Sequence, residues 1–171
     1  KIHPGLKLPP LTDAQDEKRT ISPDEAFVQI LDPATGTATF LVEVIEVIHR
    51  TLKAKWQKQG LREPQQQAAW NDYVPKHLLP RLHAYELMMA PYAIAHMKIG
   101  LKLAETGYQF GTEERARIYL TNALEPWQRQ MTLPDFEALA HEATAVNEIK
   151  RDKRFTVVIG NPPYANYSAN L

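Results

Sequence analysis

Short apolar runs alternate along this chain with longer amphipathic stretches. Val28-Gln29-Ile30-Leu31, Arg81-Leu82-His83-Ala84-Tyr85-Glu86, Arg117-Ile118-Tyr119-Leu120-Thr121-Asn122 and Phe155-Thr156-Val157-Val158-Ile159 each read as a strand, the last as a buried one. Between them the period changes. Leu41, Val44, Ile45, Ile48 and Leu52 recur at spacings of three and four, which predicts a helix after Phe40, with Glu46 and Arg50 able to pair on its wet face. Residues 53–80 are polar and glutamine-rich, with Trp56, Trp70 and Tyr73 as anchors. They predict an extension of that helix and a second helical piece closed by Pro75 and Pro80. Pro91 suits the first turn of the next helix, which ends near Gly107. A last helix starts near Pro134, runs through Phe136, Leu139, Ala140 and Ile149, and leads by the basic turn Lys150-Arg151-Asp152-Lys153-Arg154 into the fourth strand. Residues 1–20, rich in proline and charge, read as an irregular lead-in, and Ser22-Pro23-Asp24-Glu25 as a short helical turn. Strands that alternate with helices predict a doubly wound α/β fold with a parallel sheet and right-handed crossovers.

Composition narrows this only a little. The 171 residues suffice for one core. Twenty lysines and arginines balance twenty aspartates and glutamates. A DNA-binding surface usually carries a basic excess, so if the chain acts on DNA, most phosphate contacts come from elsewhere. The chain has no cysteine, hence no disulfide and no thiolate metal site, which is compatible with the cytoplasm. The apolar stretch from Leu87 to Ile99 is interrupted by Pro91, His96 and Lys98 and is too short to span a bilayer. No amino-terminal segment reads as a signal peptide. The six histidines show no metal-ligand spacing and read as core or solvated side chains.

Two segments carry candidate chemistry, each directly after a strand. The tetrapeptide Asn161-Pro162-Pro163-Tyr164 forms a stiff loop, because each proline fixes its own φ and keeps the residue before it extended. The Asn161 side-chain oxygen and the Pro162 carbonyl can then face one small donor, with the Tyr164 ring beside it. That arrangement suits an exocyclic amine on a flat ring. The other segment is Asp32-Pro33-Ala34-Thr35-Gly36-Thr37-Ala38-Thr39-Phe40, a glycine-containing loop between a strand and a helix. Doubly wound folds approach nucleotide-like ligands with such loops.

Together these segments resemble motifs I and IV of S-adenosylmethionine-dependent DNA adenine-N6 methyltransferases, in particular large single-chain restriction–modification enzymes of the Type ISP and Type IIG kind. The resemblance covers roughly residues 21–171. It implies a class I, Rossmann-like methyltransferase fold, present here as the amino-terminal part of that domain, and a bacterial, cytoplasmic enzyme. It implies S-adenosyl-L-methionine as cofactor, its methionine part wrapped by Asp32, Pro33, Ala34, Thr35, Gly36, Thr39 and Phe40. Glu86 would accept the ribose hydroxyls, Leu87 or Met88 would flank the adenine ring, and Asn122 would recognise its amine. Asn161, Pro162 and Tyr164 would hold a target adenine flipped out of double-stranded DNA. Accepting both amine hydrogens returns electron density to the nitrogen, so catalysis is positioning plus electrostatics. Nuclease and helicase parts would lie elsewhere in the parent polypeptide, as would the base-recognition domain. Ala38 stands where the family usually has glycine. If that position needs a positive φ, alanine costs about 1–2 kcal/mol. A methyltransferase acting on protein glutamine or an RNA base shares Asn-Pro-Pro-Tyr and stays open as an alternative, as does a truncated non-catalytic scaffold.

Overall fold

In the computed structural model, which describes residues 12–13, 16–20, 26–111, 115–124, 146–150 and 153–162, the chain first forms a small antiparallel pair, β1 (Thr12–Asp13) with β2 (Asp16–Thr20). This segment was expected to be irregular. Its charged sequence offers no apolar alternation to read, whereas the backbone groups that make the ladder are present in every residue.

The main sheet is parallel. Its strands are β3 (Ile30–Asp32), β4 (Leu82–Glu86), β5 (Arg117–Leu120) and β6 (Val157–Val158), in the order β5-β4-β3-β6. Numbered within this sheet, that is third, second, first, fourth. It is the order of a doubly wound sheet up to the point where it reverses, here between β3 and β6, and such folds take ligands at the carboxyl ends beside that reversal. The register pairs Ile30 with Leu82 and Asp32 with Ala84, and Ala84 with Ile118. Side chains alternate along each strand, so Ile30, Leu82, Ala84 and Ile118 share one face. On it pack Leu41 and Ile45 of α1 (Thr39–Lys58) and Ala95, Ile99 and Leu103 of α3 (Met89–Glu105). The opposite face gathers Tyr85, Tyr119, Leu31 and Val146.

Several boundaries shift from expectation. The first strand starts two residues later than Val28–Leu31 and ends one residue later, and the second begins at Leu82. The second helical piece is α2 (Glu63–Tyr73), with Trp70 and Tyr73 buried and the Trp70 indole N–H donating to Thr106 Oγ1 at 2.9 Å. Pro75 and Pro80 do not end it abruptly: they fall in a π-helical turn (Val74–Leu78) and a 3₁₀ turn (Leu79–Arg81) that carry the chain into β4. Glu46 pairs with Lys102 of α3 at 3.5 Å rather than with Arg50, because helix packing brings a cation to it from outside its own helix. The fourth strand was expected to be buried, yet Val157 and Val158 are 41% and 65% exposed. In the described sheet β6 pairs on one side only, with β3, so its apolar side chains stay open. Of the last expected helix only residues 146–150 are described, and they are helical. The Ser22–Glu25 turn lies outside the described residues. No helix among the described residues is long and apolar enough to cross a membrane.

α1 starts at an unusual residue. Ala38, its N-cap, has φ 60° and ψ 31°, the left-handed region, and is fully buried. The conformation that glycine adopts freely is therefore needed here, and alanine holds it at a cost of about 1 kcal/mol. Its N–H donates to Thr35 O at 2.8 Å and its carbonyl accepts from Val42 N–H at 3.0 Å, so the turn is fixed from both sides. Ala38→Val is expected to destabilise the chain by about 2 kcal/mol or more, since a β-branched side chain is a far worse occupant of this region and has no space. Ala38→Gly should stay within about 1 kcal/mol of the parent, as relief of strain is offset by the lost buried methyl and the freer unfolded chain. Urea unfolding of the two variants checks both.

Candidate functional site

The pleat and the register bring two carboxylates together at the carboxyl end of the sheet. Asp32 ends β3 opposite Ala84, and Glu86 lies two residues beyond Ala84 on β4, so both point to the same face of adjacent strands. Both are buried. Glu86 is tied on each oxygen: Oε2 accepts the Gly36 N–H at 2.8 Å and Oε1 the Met88 N–H at 2.9 Å. Its carbonyl accepts from Thr121 N–H at 2.7 Å, and the Tyr85 carbonyl from Thr35 N–H at 3.0 Å. The glycine loop and the ends of β4 and β5 thus form one hydrogen-bonded unit. Each Glu86 oxygen still has an acceptor position left, because a carboxylate offers about four.

Gly36 has φ 54°, the left-handed geometry that lets the loop turn back toward Glu86. Asp32 Oδ1 accepts from Ala34 N–H at 3.3 Å, while Oδ2 is buried with no hydrogen-bond partner. Burial pushes the Asp32 carboxyl above its ordinary value; the Thr35 hydroxyl and the Ala34 N–H act against this, and the Glu86 charge adds to it. A buried acceptor of this kind is costly unless a donor reaches it.

The residues after β4 and β6 frame the same end. Leu87 and Met88 are 67% and 62% exposed, an apolar step directly after Glu86. Phe40 is partly exposed in the first turn of α1, and Thr39 beside it is exposed. Ile159 N–H donates to Leu31 O at 2.9 Å, which continues β6 past Val158. Gly160 then approaches so closely that a Cβ there would lie 2.8 Å from Asp32 Oδ1 and 3.4 Å from Pro33 Cδ. Asn161 and Pro162 follow at once and are exposed. The expected role of Tyr164 falls outside the described residues. Asn122 lies two residues past the end of β5, and its Oδ1 accepts the Leu124 N–H at 3.0 Å in a tight turn. Its carbonyl accepts from Lys150 Nζ at 2.7 Å.

Two participants escaped the sequence reading. Gly160 has no local signature, since its role is the approach to a side chain more than a hundred positions earlier. Lys98 of α3 donates to Thr37 Oγ1 at 3.3 Å and to Thr39 Oγ1 at 3.2 Å, clamping both sides of Ala38. Lys98 gave no signal because its partners lie some sixty residues earlier in the chain. Of the histidines, His83 is fully buried in β4, and burial, with the charges of Arg117 and Lys153, pushes it down to about 3, so it stays neutral in the core. A separate cleft of about 240 Å³ opens between α1, α2 and the end of α3, lined by His49, Trp56, Gln66 and Trp70 among others. None of its lining residues belongs to the strand-end loops.

No protein-family model matches the chain, and no curated protein matches it. Solved structures do. The chain is similar to a nuclease-deletion mutant of the Type ISP restriction-modification enzyme LlaGI in complex with a DNA substrate mimic, at 28% identity and TM-score 0.56 over 81% of this chain and 10% of that one. It is similar to the ATP-dependent Type ISP restriction-modification enzyme LlaBIII bound to DNA, at 27% identity and TM-score 0.55 over 84% of this chain and 9% of that one. It is also similar to the DrdV–DNA complex, at 28% identity and TM-score 0.52 over 84% of this chain and 12% of that one. These neighbours support the resemblance to restriction–modification enzymes, of which the chain spans about a tenth of the length.

The Asp32 environment gives a pH-dependent expectation. A carboxyl whose folded pKa stands above its unfolded value of 3.8 penalises the folded state when ionised. The penalty is absent below 3.8 and complete once the pH has risen past the folded value. Asp32→Asn keeps an acceptor for Ala34 N–H and removes the penalty. It is expected to be more stable than the parent chain at pH 7, with the gain shrinking as the pH falls toward 3.8, in urea unfolding measured across that range.

Proposed function

We propose that this chain is the cofactor-binding part of a restriction–modification DNA methyltransferase that transfers a methyl group from S-adenosyl-L-methionine to the N6 amine of adenine. The observation that carries the reading is the contact of Gly160 with Asp32. Through it, the loop after β3 and the start of Asn161-Pro162-Pro163-Tyr164 meet at one end of the sheet, beside the reversal of strand order. Cofactor side and substrate side then adjoin. The DNA complexes among the similar structures support the same reading.

The residues fit the cofactor in kind. Asp32 Oδ2, buried and without a partner, suits an ammonium group. Glu86, oriented by two backbone N–H groups, keeps acceptor positions for ribose hydroxyls. Leu87 and Met88 offer exposed apolar surface for a flat base. The cofactor, when bound, supplies an electrophilic methyl on a sulfonium. The chain's own part in the chemistry is to accept hydrogens: the Asn161 side-chain oxygen and the Pro162 carbonyl take those of the adenine amine and return its lone pair to the nitrogen. Positioning and fixed dipoles carry the rate, without a nucleophilic side chain. The neutral net charge fits a division of labour in which other parts of the parent protein grip the DNA phosphates.

Isothermal titration of the chain with S-adenosylmethionine or S-adenosylhomocysteine is expected to show saturable binding, weakened in Glu86→Ala by about 1–3 kcal/mol. Unchanged affinity would remove Glu86 from the site. Methyl transfer needs the full-length protein that carries these residues. There, Asn161→Ala should lower the rate of tritiated methyl transfer to duplex DNA by about 10²–10³ while leaving cofactor affinity nearly intact. Mass spectrometry of the product decides the acceptor: methyl on protein glutamine, on RNA or on cytosine carbon would overturn the adenine assignment.

A further inference from the structure

Lys98 occupies a place that disfavours a cation. The amino end of a helix carries partial positive charge and its first N–H groups lack partners within the helix. α1 has no acidic residue in its first turn and no side-chain cap to offset this. Lys98 nevertheless reaches that end from α3 and donates to the Thr37 and Thr39 hydroxyls. Those hydroxyls solvate the ammonium without neutralising it. Lys98 is half-buried, and no carboxylate among the described residues pairs with it. Of its three N–H donors, two are used by the hydroxyls and one remains. A helix end and a lysine, both positive and both uncompensated, define a place for an anion.

The second observation lies at the other end of the same loop. Asp32 is fully buried, and its Oδ2 has no partner. That oxygen requires a donor, best a cationic one. One short loop, Asp32 to Thr39, thus carries an unmet demand for a cation at its start and for an anion at its end. A simple anion such as phosphate meets only the second. An α-amino acid group carries both kinds of charge, ammonium and carboxylate, on one carbon.

We propose that Lys98 is a ligand-binding residue of this site that takes the α-carboxylate of an amino-acid-bearing nucleoside, with Asp32 accepting the adjoining ammonium. This rests on the cofactor reading above and adds to it a residue from α3, outside the loop. It also gives the Thr37 and Thr39 hydroxyls a task, which is to hold the lysine at the helix end.

The test compares two ligands that share the nucleoside and differ in the amino-acid group: S-adenosylhomocysteine, which has it, and 5′-methylthioadenosine, which lacks it. In titrations of the chain, Lys98→Met is expected to lower affinity for S-adenosylhomocysteine by about tenfold or more and to leave 5′-methylthioadenosine within about twofold. Lys98→Arg, which keeps the charge, should retain most of the affinity for S-adenosylhomocysteine. Equal loss for both ligands would mean that Lys98 only shapes the loop, and no loss for either would remove it from the site; each overturns the proposal. Binding of inorganic phosphate that disappears in Lys98→Met, with S-adenosylhomocysteine unaffected, would reassign the lysine to a phosphate anion. Should the unsubstituted chain bind both nucleosides equally, the nucleoside site stands and the amino-acid contact falls. Should it bind neither, the cofactor reading itself falls.

Discussion

The Glu86 carboxylate holds the functional end of this molecule together. Its two oxygens accept N–H groups from Gly36 and Met88, and its carbonyl accepts one from Thr121. Three chain segments, the loop after β3, the entry to α3 and the exit of β5, are joined at that one residue. Hydrogen bonds to a charged acceptor are among the stronger ones, about 1.5–3 kcal/mol each. Their geometry also dictates where the remaining lone pairs face. The residue that organises the loop thus also keeps acceptor positions of its own.

Around this anchor the structure tolerates local costs. Ala38 is held in a left-handed conformation, Asp32 is buried with one oxygen unpaired, and Lys98 stands at the positive end of a helix. Each is unfavourable by itself. All three meet at a single loop of nine residues, Asp32 to Phe40, and such a gathering of local costs motivates the ligand proposed for it. The contrast with the opposite face of the sheet supports this. There Tyr85, Tyr119 and Val146 pack together, and the Lys150 ammonium lies 5.6 Å from the centre of the Tyr85 ring while it also donates to Thr121 and Asn122.

The neutral charge and the small share of the similar enzymes that this chain covers belong together physically. A domain without basic excess cannot gain much from counterion release at DNA. A loop that presents acceptors to a base edge needs the duplex to be gripped and opened by something else. The charge balance fits the proposed division of labour, in which the duplex is gripped by other parts of the protein.

What the sequence determined by itself were the features fixed by local pattern. Four apolar runs became four parallel strands, and period-three-and-four spacing became α1. The glycine-containing loop and Asn161-Pro162 were found at strand ends, because strand, turn and helix signals all lie within a few residues of one another. Strand limits moved by one or two residues, since pairing with a neighbour and not the run itself decides where a strand ends. What only the tertiary structure decided were relations between distant positions. Glu46 chose Lys102 over its helical neighbour Arg50, β6 stayed exposed because it pairs on one side only in the described sheet, and Asn122 spent a lone pair on its own turn. Lys98 reached Thr37 and Thr39 across some sixty residues, and Gly160 met Asp32 across more than twice that. Such contacts leave no period and no motif in the chain, because they arise from the register of a parallel sheet and the packing of helices on it, which are set only when the whole fold closes.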